Sequence, residues 1–300
     1  MLRAFLAFTL LFVATIGQAR EIAITFDDAP IPDSATMTGA ARTTMLVASL
    51  KSAEIRQAAF FCTPKVLTSE GKQRLEAYAQ AGHLLANHSN THRNLRDLTA
   101  EEYLQDIATA DGTLRSLPNF RSWFRFPFLS EGDTREKRDA VRRGLRAMNY
   151  QQGYVTVDNY DWYLNKLAND ARRDGKTLNQ AGLRDLYVSV LMDSVEFYDR
   201  IAVKHLGRSP RHVLLLHEND LAAQFIGDLA TALRQAGWTI ISPERAYADP
   251  IALIEPDTLF LGQGRVAAIA HAAGAKPREL VHESEEEEIL DKMFTTRVLK

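Results

Sequence analysis

The sequence predicts an α/β fold in which parallel strands and helices share one core. Seven short apolar runs have the length and composition of buried strands: Glu21–Phe26, Ala58–Cys62, His83–Asn87, Trp123–Pro127, Gly153–Val157, His212–His217 and Trp238–Ser242. Between them, apolar residues recur at helical spacing over Thr38–Glu54, Ser69–Ala81, Thr99–Leu117, Thr134–Met148, Leu164–Leu206 and Leu221–Ala236. Strand followed by helix, repeated along the chain, requires parallel strands joined by crossovers, hence a sheet or a barrel.

Stop signals support the division. Gly82 and Gly237 each follow a helical run and precede a strand, the usual place for a left-handed cap. The long stretch Leu164–Leu206 carries mixed charges around Gly175, which predicts two helices with a turn there and an insertion able to shape a groove. No linker interrupts residues 20–250. Beyond Pro250 the periodicity weakens, and the run Glu285–Glu288 reads as a solvated helix start, because acids favour a helix N-terminus. The expected organisation is a leader over residues 1–19, one domain over 20–250 and a C-terminal extension over 251–300 packed on or beside it.

The leader is read from its pattern. Arg3 supplies a positive charge, Ala4–Ile16 is nearly all apolar, and Gly17 and Ala19 are small residues at the positions a signal peptidase reads. The apolar stretch is well short of the ~20 residues that cross a bilayer. The expected protein is therefore exported, periplasmic or secreted, without stable membrane insertion once the leader is cleaved.

Composition narrows the partners. With 46% hydrophobic and 25% charged residues the chain is neither collagen-like, coiled-coil nor disordered. A formal charge of -2 provides no global positive field for a nucleic-acid backbone or an anionic membrane. The single cysteine, Cys62, excludes an internal disulfide and a cysteine-rich zinc module, and its apolar neighbours make it a buried strand residue.

In parallel α/β folds the ligand sits at the carboxyl ends of the strands, and here the polar residues gather there. Strand one ends in Asp27-Asp28, strand three leads into His88 and His92, and strand four into Arg125. Strand five leads to Asp158 through Trp162, and strand six ends in His217-Glu218. If the chain turns helically after Asn87, His88 and His92 face one way and suit a divalent metal; alone, such a pair equally fits a hydrogen-bonded loop. Of two adjacent acids, one can ligate a cation while the other remains a free base, though paired acids also cap helices and turns. Arg125 either reaches solvent from a strand edge or holds Asp27 ionised. Trp162 alone suits a core, and His217 fits either a satisfied core histidine or a proton donor.

Taken in order, these segments resemble the polysaccharide deacetylase family, the NodB homology domain of carbohydrate esterase family 4. The resemblance rests on Thr25-Phe26-Asp27-Asp28, His88-Ser89-Asn90-Thr91-His92, Arg125-Phe126-Pro127-Phe128, Asp161-Trp162 and Leu214-Leu215-Leu216-His217, and covers roughly residues 20–245. It implies a distorted (β/α)7 barrel, here with a helical insertion and a C-terminal extension, and a divalent cation, most often Zn2+. It implies Asp28, His88 and His92 as metal ligands, Asp27 as base and His217 as acid. Arg125 would orient the base, Asp161 would pair with His217, and Trp162 and Leu215 would wall the acetyl methyl. Where the family usually has tyrosine then glycine after the third-motif proline, this chain has Phe128-Leu129; the Phe128 N–H would serve an oxyanion. The implied substrate is an acetylated glycan, peptidoglycan or chitin-like, with an O-acetyl polysaccharide or an inactive carbohydrate-binding relative as alternatives.

Overall fold

The computed structural model describes residues 20–65 and 67–300. The predicted leader therefore lies outside the described residues. In chain order the elements are β1 (Arg20–Ala29), α1 (Gly39–Ser52), β2 (Ala59–Cys62), α2 (Ser69–Gln80), β3 (Leu84–Asn87), α3 (Ala100–Leu114), β4 (Phe120–Phe124), α4 (Arg135–Ala147) and β5 (Gln151–Gln152). They continue with α5 (Asp161–Arg173), α6 (Gln180–Leu206), β6 (Arg211–His217), α7 (Asp220–Gln235), β7 (Trp238–Ile241), α8 (Pro243–Tyr247), α9 (Arg265–Ala272) and α10 (Glu287–Arg297).

Each of the first four helices starts at a threonine. Thr38, Thr68, Thr99 and Thr134 are extended, and each side chain accepts a backbone N–H of the first turn. Each such cap contributes about 1 kcal/mol. The strands form one parallel sheet in the order β5-β4-β3-β2-β1-β6, with β7 also on β1. Strand β1 is the hub. It pairs with β6 from Glu21 to Asp27, with β7 over Arg20–Ala23, and with β2 from Thr25 onward. Ile22, Ile24 and Phe26 are fully buried, as a strand with a neighbour on each edge and helices outside requires. Cys62 is buried in β2, where the sequence places it.

The sheet curls into the distorted barrel that the sequence predicts, and its weakest joint is at β5. The expected strand Gly153–Val157 does not form; the ladder holds only Gln151 and Gln152, and the gap to β6 is closed by a single bridge, Val157 to Leu214. The reason is competition for carbonyls. Gly153 O accepts from Arg125 Nε at 2.7 Å, Tyr154 O from the Tyr247 hydroxyl at 3.1 Å, and Val155 O from Arg265 N at 2.7 Å. Gly153 is also required here, because a Cβ would sit 2.3 Å from the Phe61 ring.

The stretch Leu164–Leu206 is two helices, and Gly175 sits in the turn with φ 74°. It does not shape the cleft. Its second helix, α6, packs against α7, α9 and α10 and buries Leu183, Leu186, Val190 and Leu191. Beyond Pro250, Leu280, Leu290, Phe294 and Val298 are buried in the same cluster as the strands. The acidic run is only partly solvated: helix α10 begins at Glu287, but Glu285 is 5% exposed. Among the described residues no helix is long and apolar enough to cross a membrane.

Candidate active site

At the carboxyl end of the barrel, five segments converge. Asp27 ends the β1–β6 pairing opposite His217 and is buried. Asp28 follows with φ 67°, a left-handed turn, and both carboxylates face His88: Asp27 Oδ2 lies 3.5 Å and Asp28 Oδ1 3.6 Å from its Nε2. The loop after β3 is not helical. Asn87 Oδ1 accepts the Ser89 N–H, Ser89 Oγ accepts the His92 N–H, and Asp106 Oδ2 accepts the Asn90 and Thr91 N–H groups. With Ser89 and His92 at positive φ, this tight loop rather than a helical turn brings both imidazoles together.

His92 Nε2 lies 3.2 Å and His88 Nε2 3.6 Å from Asp28 Oδ1. Ligand atoms of the three residues fall within 4.8 Å of one another. His88 Nδ1 is 2.9 Å from the Arg125 carbonyl, which fixes its proton there and leaves Nε2 a free lone pair. Burial, with His92 and Arg125 nearby, pushes the His88 pKa well below the usual histidine range, so the ring is neutral. Asp28 Oδ1 is buried and accepts no hydrogen bond. A buried carboxylate oxygen left without a donor costs stability unless something else satisfies it. Two imidazole nitrogens and this oxygen form a donor set that fits a divalent cation, zinc in particular, with coordination positions left open.

Arg125 does not reach solvent; it is 1% exposed. Its Nη1 donates to Asp27 Oδ1 at 2.5 Å, Nη2 to the Tyr247 hydroxyl at 3.0 Å, and its guanidinium lies 3.8 Å from the centre of the Phe61 ring. Burial raises the Asp27 pKa to about 6 against the pull of Arg125 and His217. Asp161, at the start of α5, is fully buried and faces His217. Burial works against a charged His217, but Asp161, helped by Asp28 and Asp27, overrides it and raises the pKa to about 10.

The converging residues floor a cleft of about 430 Å³. Phe128, 56% exposed, and Trp162, 37% exposed, stand on its rim, and Leu215 closes its inner wall. Every site residue expected from the sequence therefore borders the cleft or directly holds a residue that does. Phe128 and Leu129 both take left-handed φ, 57° and 48°, so the loop keeps such a turn without glycine. The sequence reading did not assign Tyr247, Asn219 or Gly262. Tyr247 bonds Arg125, Asn219 Nδ2 donates to Asp161 Oδ2 at 2.9 Å, and Gly262 of the extension lines the cleft. Asn219, two residues from His217, was within reach of sequence reasoning; a lone tyrosine after β7 carries no such signal.

Residues 16–153 match the family model described as polysaccharide deacetylase. A search of curated proteins gives no match. Among solved structures, the chain is similar to a family 4 carbohydrate esterase from Streptomyces lividans, in complex with acetate: 20% identity, TM-score 0.50, covering 76% of this chain and 95% of that one. It is also similar to a CE4 esterase from Streptococcus mutans, at 16% identity and TM-score 0.52, covering 75% and 87%. A third is a CE4 family pseudoenzyme from Bacillus anthracis, at 16% identity and TM-score 0.53, covering 76% and 66%. Over residues 16–153 the chain matches the polysaccharide deacetylase family, and its fold is that of the solved family 4 carbohydrate esterases.

Proposed function

We propose that this protein is an exported, metal-dependent hydrolase that removes acetyl groups from N-acetylated sugars of a glycan, of the peptidoglycan or chitin type. The observation that carries the reading is the orphaned Asp28 Oδ1 between two histidine nitrogens, flanked by a separate acid and base. A divalent cation, Zn2+ by the chemistry of this donor set, would be held by Asp28, His88 and His92 and would supply Lewis-acid polarisation of the acetyl carbonyl and a more acidic water.

The chain's own groups do the rest. Asp27 accepts the proton of the attacking water through Oδ2, since Oδ1 is engaged by Arg125. A pKa of about 6 leaves it ionised yet basic near neutral pH. His217 binds Asp161 through Nδ1, so Nε2 carries the proton handed to the departing nitrogen. The Phe128 N–H serves the developing oxyanion, and Trp162 and Leu215 enclose the acetyl methyl. The same set would cleave O-acetyl esters, where the leaving oxygen has less need of His217. An inactive, carbohydrate-binding role is disfavoured because base, acid and ligand set occur together.

The test is acetate release from chitooligosaccharides, peptidoglycan and acetylated xylan with zinc present. Release from the N-acetylated substrates supports the reading; release from xylan alone favours the esterase; none from any substrate refutes it.

A further inference from the structure

Six of the buried acids in the described chain have a cation at hand. Glu218 and Asp220 bond Arg74 and Arg42, Asp249 bonds Arg208, Asp199 pairs with Arg20, Asp161 bonds His217, and Asp27 bonds Arg125. Two do not. Asp158 and Glu285, each 5% exposed, have no lysine, arginine or histidine nitrogen within ion-pair distance among the described residues. They come from distant parts of the chain and act on each other: after burial, Glu285 is the largest influence holding the Asp158 carboxyl well above the usual range.

Their surroundings differ in one respect. Glu285 is satisfied: Oε1 accepts from the Tyr198 hydroxyl at 2.6 Å and Oε2 from Gln263 Nε2 at 2.7 Å. Asp158 lines the cleft beside Trp162, Tyr160 and His217, and only its Oδ1 is used, by the Asn159 N–H at 2.8 Å. No hydrogen bond within the described chain reaches its Oδ2. With Oδ1 taken and no lysine or arginine paired to it, Asp158 has Oδ2 free for a donor that enters the cleft, and a ligand carrying positive charge completes it best. A metal ion would need more oxygens than the single one Asp158 offers. A compact ammonium on a sugar ring needs only one, and the aromatic rim provides the ring's surface.

We propose that Asp158, backed by Glu285, is a subsite for the protonated amino group of a sugar, making partly deacetylated amino-glycans the preferred ligands of this cleft. The inference rests on the deacetylase reading for its substrate class. Deacetylation itself makes such amines, so one cleaved unit would help seat its neighbour. The groups facing Asp158 are Glu285 from the extension, His217 from β6, Asp27 from β1 and the hydroxyls of Tyr160 and Tyr198. Of these only His217 is positively charged near neutral pH, and its charge is paired with Asp161. An arriving ammonium displaces the proton that Asp158 otherwise holds, and that proton passes to the buffer.

The experiment is calorimetric binding of glucosamine and N-acetylglucosamine tetramers, and of a half-acetylated tetramer, to the zinc-loaded full chain. The half-acetylated ligand should bind about tenfold tighter than the fully acetylated one, the scale of one charged hydrogen bond. Its heat should vary with buffer ionisation enthalpy, reporting proton release. Asp158→Asn should abolish both the preference and the proton release, and Glu285→Gln should reduce the release. Equal binding of the ligands by the natural protein, or an Asp158→Asn variant that weakens all of them alike and keeps their ratio, would overturn the proposal. Preferential amine binding without acetate release from any glycan would instead count against the deacetylase reading alone.

Discussion

Asp161 grips His217 at two points: its Oδ2 accepts the His217 backbone N–H at 3.0 Å, and its Oδ1 lies 2.7 Å from the ring Nδ1. One carboxylate thus fixes both the position and the protonation of the ring. Because His217 acts only while protonated, turnover should fall as pH rises through about 10. In Asp161→Asn the burial that Asp161 now overrides would prevail, and this alkaline limb should move down by about 2 pH units, the usual effect of one close charge. The same ion pair stabilises the fold fully below the ordinary histidine value and loses that contribution as pH rises through about 10. A pH–rate profile checks the first point; an unmoved limb in the variant would assign it to another group.

Metal and base should separate by mutation. Asp27→Asn should retain stoichiometric zinc and lose about a thousandfold in kcat, because only the proton acceptor is gone. His92→Ala should lose both metal and activity. Metal analysis alongside kinetics distinguishes the two, and a fully active Asp27→Asn would remove that residue from the mechanism.

The leaving group tests His217. In His217→Ala, amide substrates should lose at least about tenfold more rate than activated esters, since a good leaving group departs without a proton. Equal losses would point to binding or geometry instead.

A fourth prediction concerns the packing behind the site. Arg74 Nη1 lies 2.0 Å from where a Cβ on Gly39 would sit. Arg74 has nowhere else to go: Nη2 holds both oxygens of Glu218 at 2.9 Å, Nη1 the Ile31 carbonyl and Nε the Thr43 hydroxyl. Gly39→Ala should therefore break a buried ion pair and cost about 3 kcal/mol. Glu218 adjoins His217, and its Oε2 accepts the Ile31 N–H just beyond Asp28, so kcat should fall with stability. Thermal unfolding together with kinetics on the folded variant measures both.

Much of this was legible in the sequence because it depends on local chemistry. Alternation of apolar runs with helical spacing gave the strand and helix order, and Gly82 and Gly237 marked two helix ends. Polar residues closing apolar strands identified Asp27, Asp28, Arg125 and His217, since a parallel sheet delivers its strand ends to one face. What failed was decided at long range. Gly153–Val157 has strand composition, yet its carbonyls serve Arg125, Tyr247 and Arg265, residues that no local pattern places beside it. Glu285 stands in a run of four glutamates that reads as solvated, but Tyr198 and Gln263 draw it inside. The sequence by itself determined which residue types end each strand, because periodicity and side-chain chemistry are local. Only the tertiary structure decided which of those groups share a partner and which, like Asp158, are left without an ion-pair partner, because burial and pairing arise when distant segments meet.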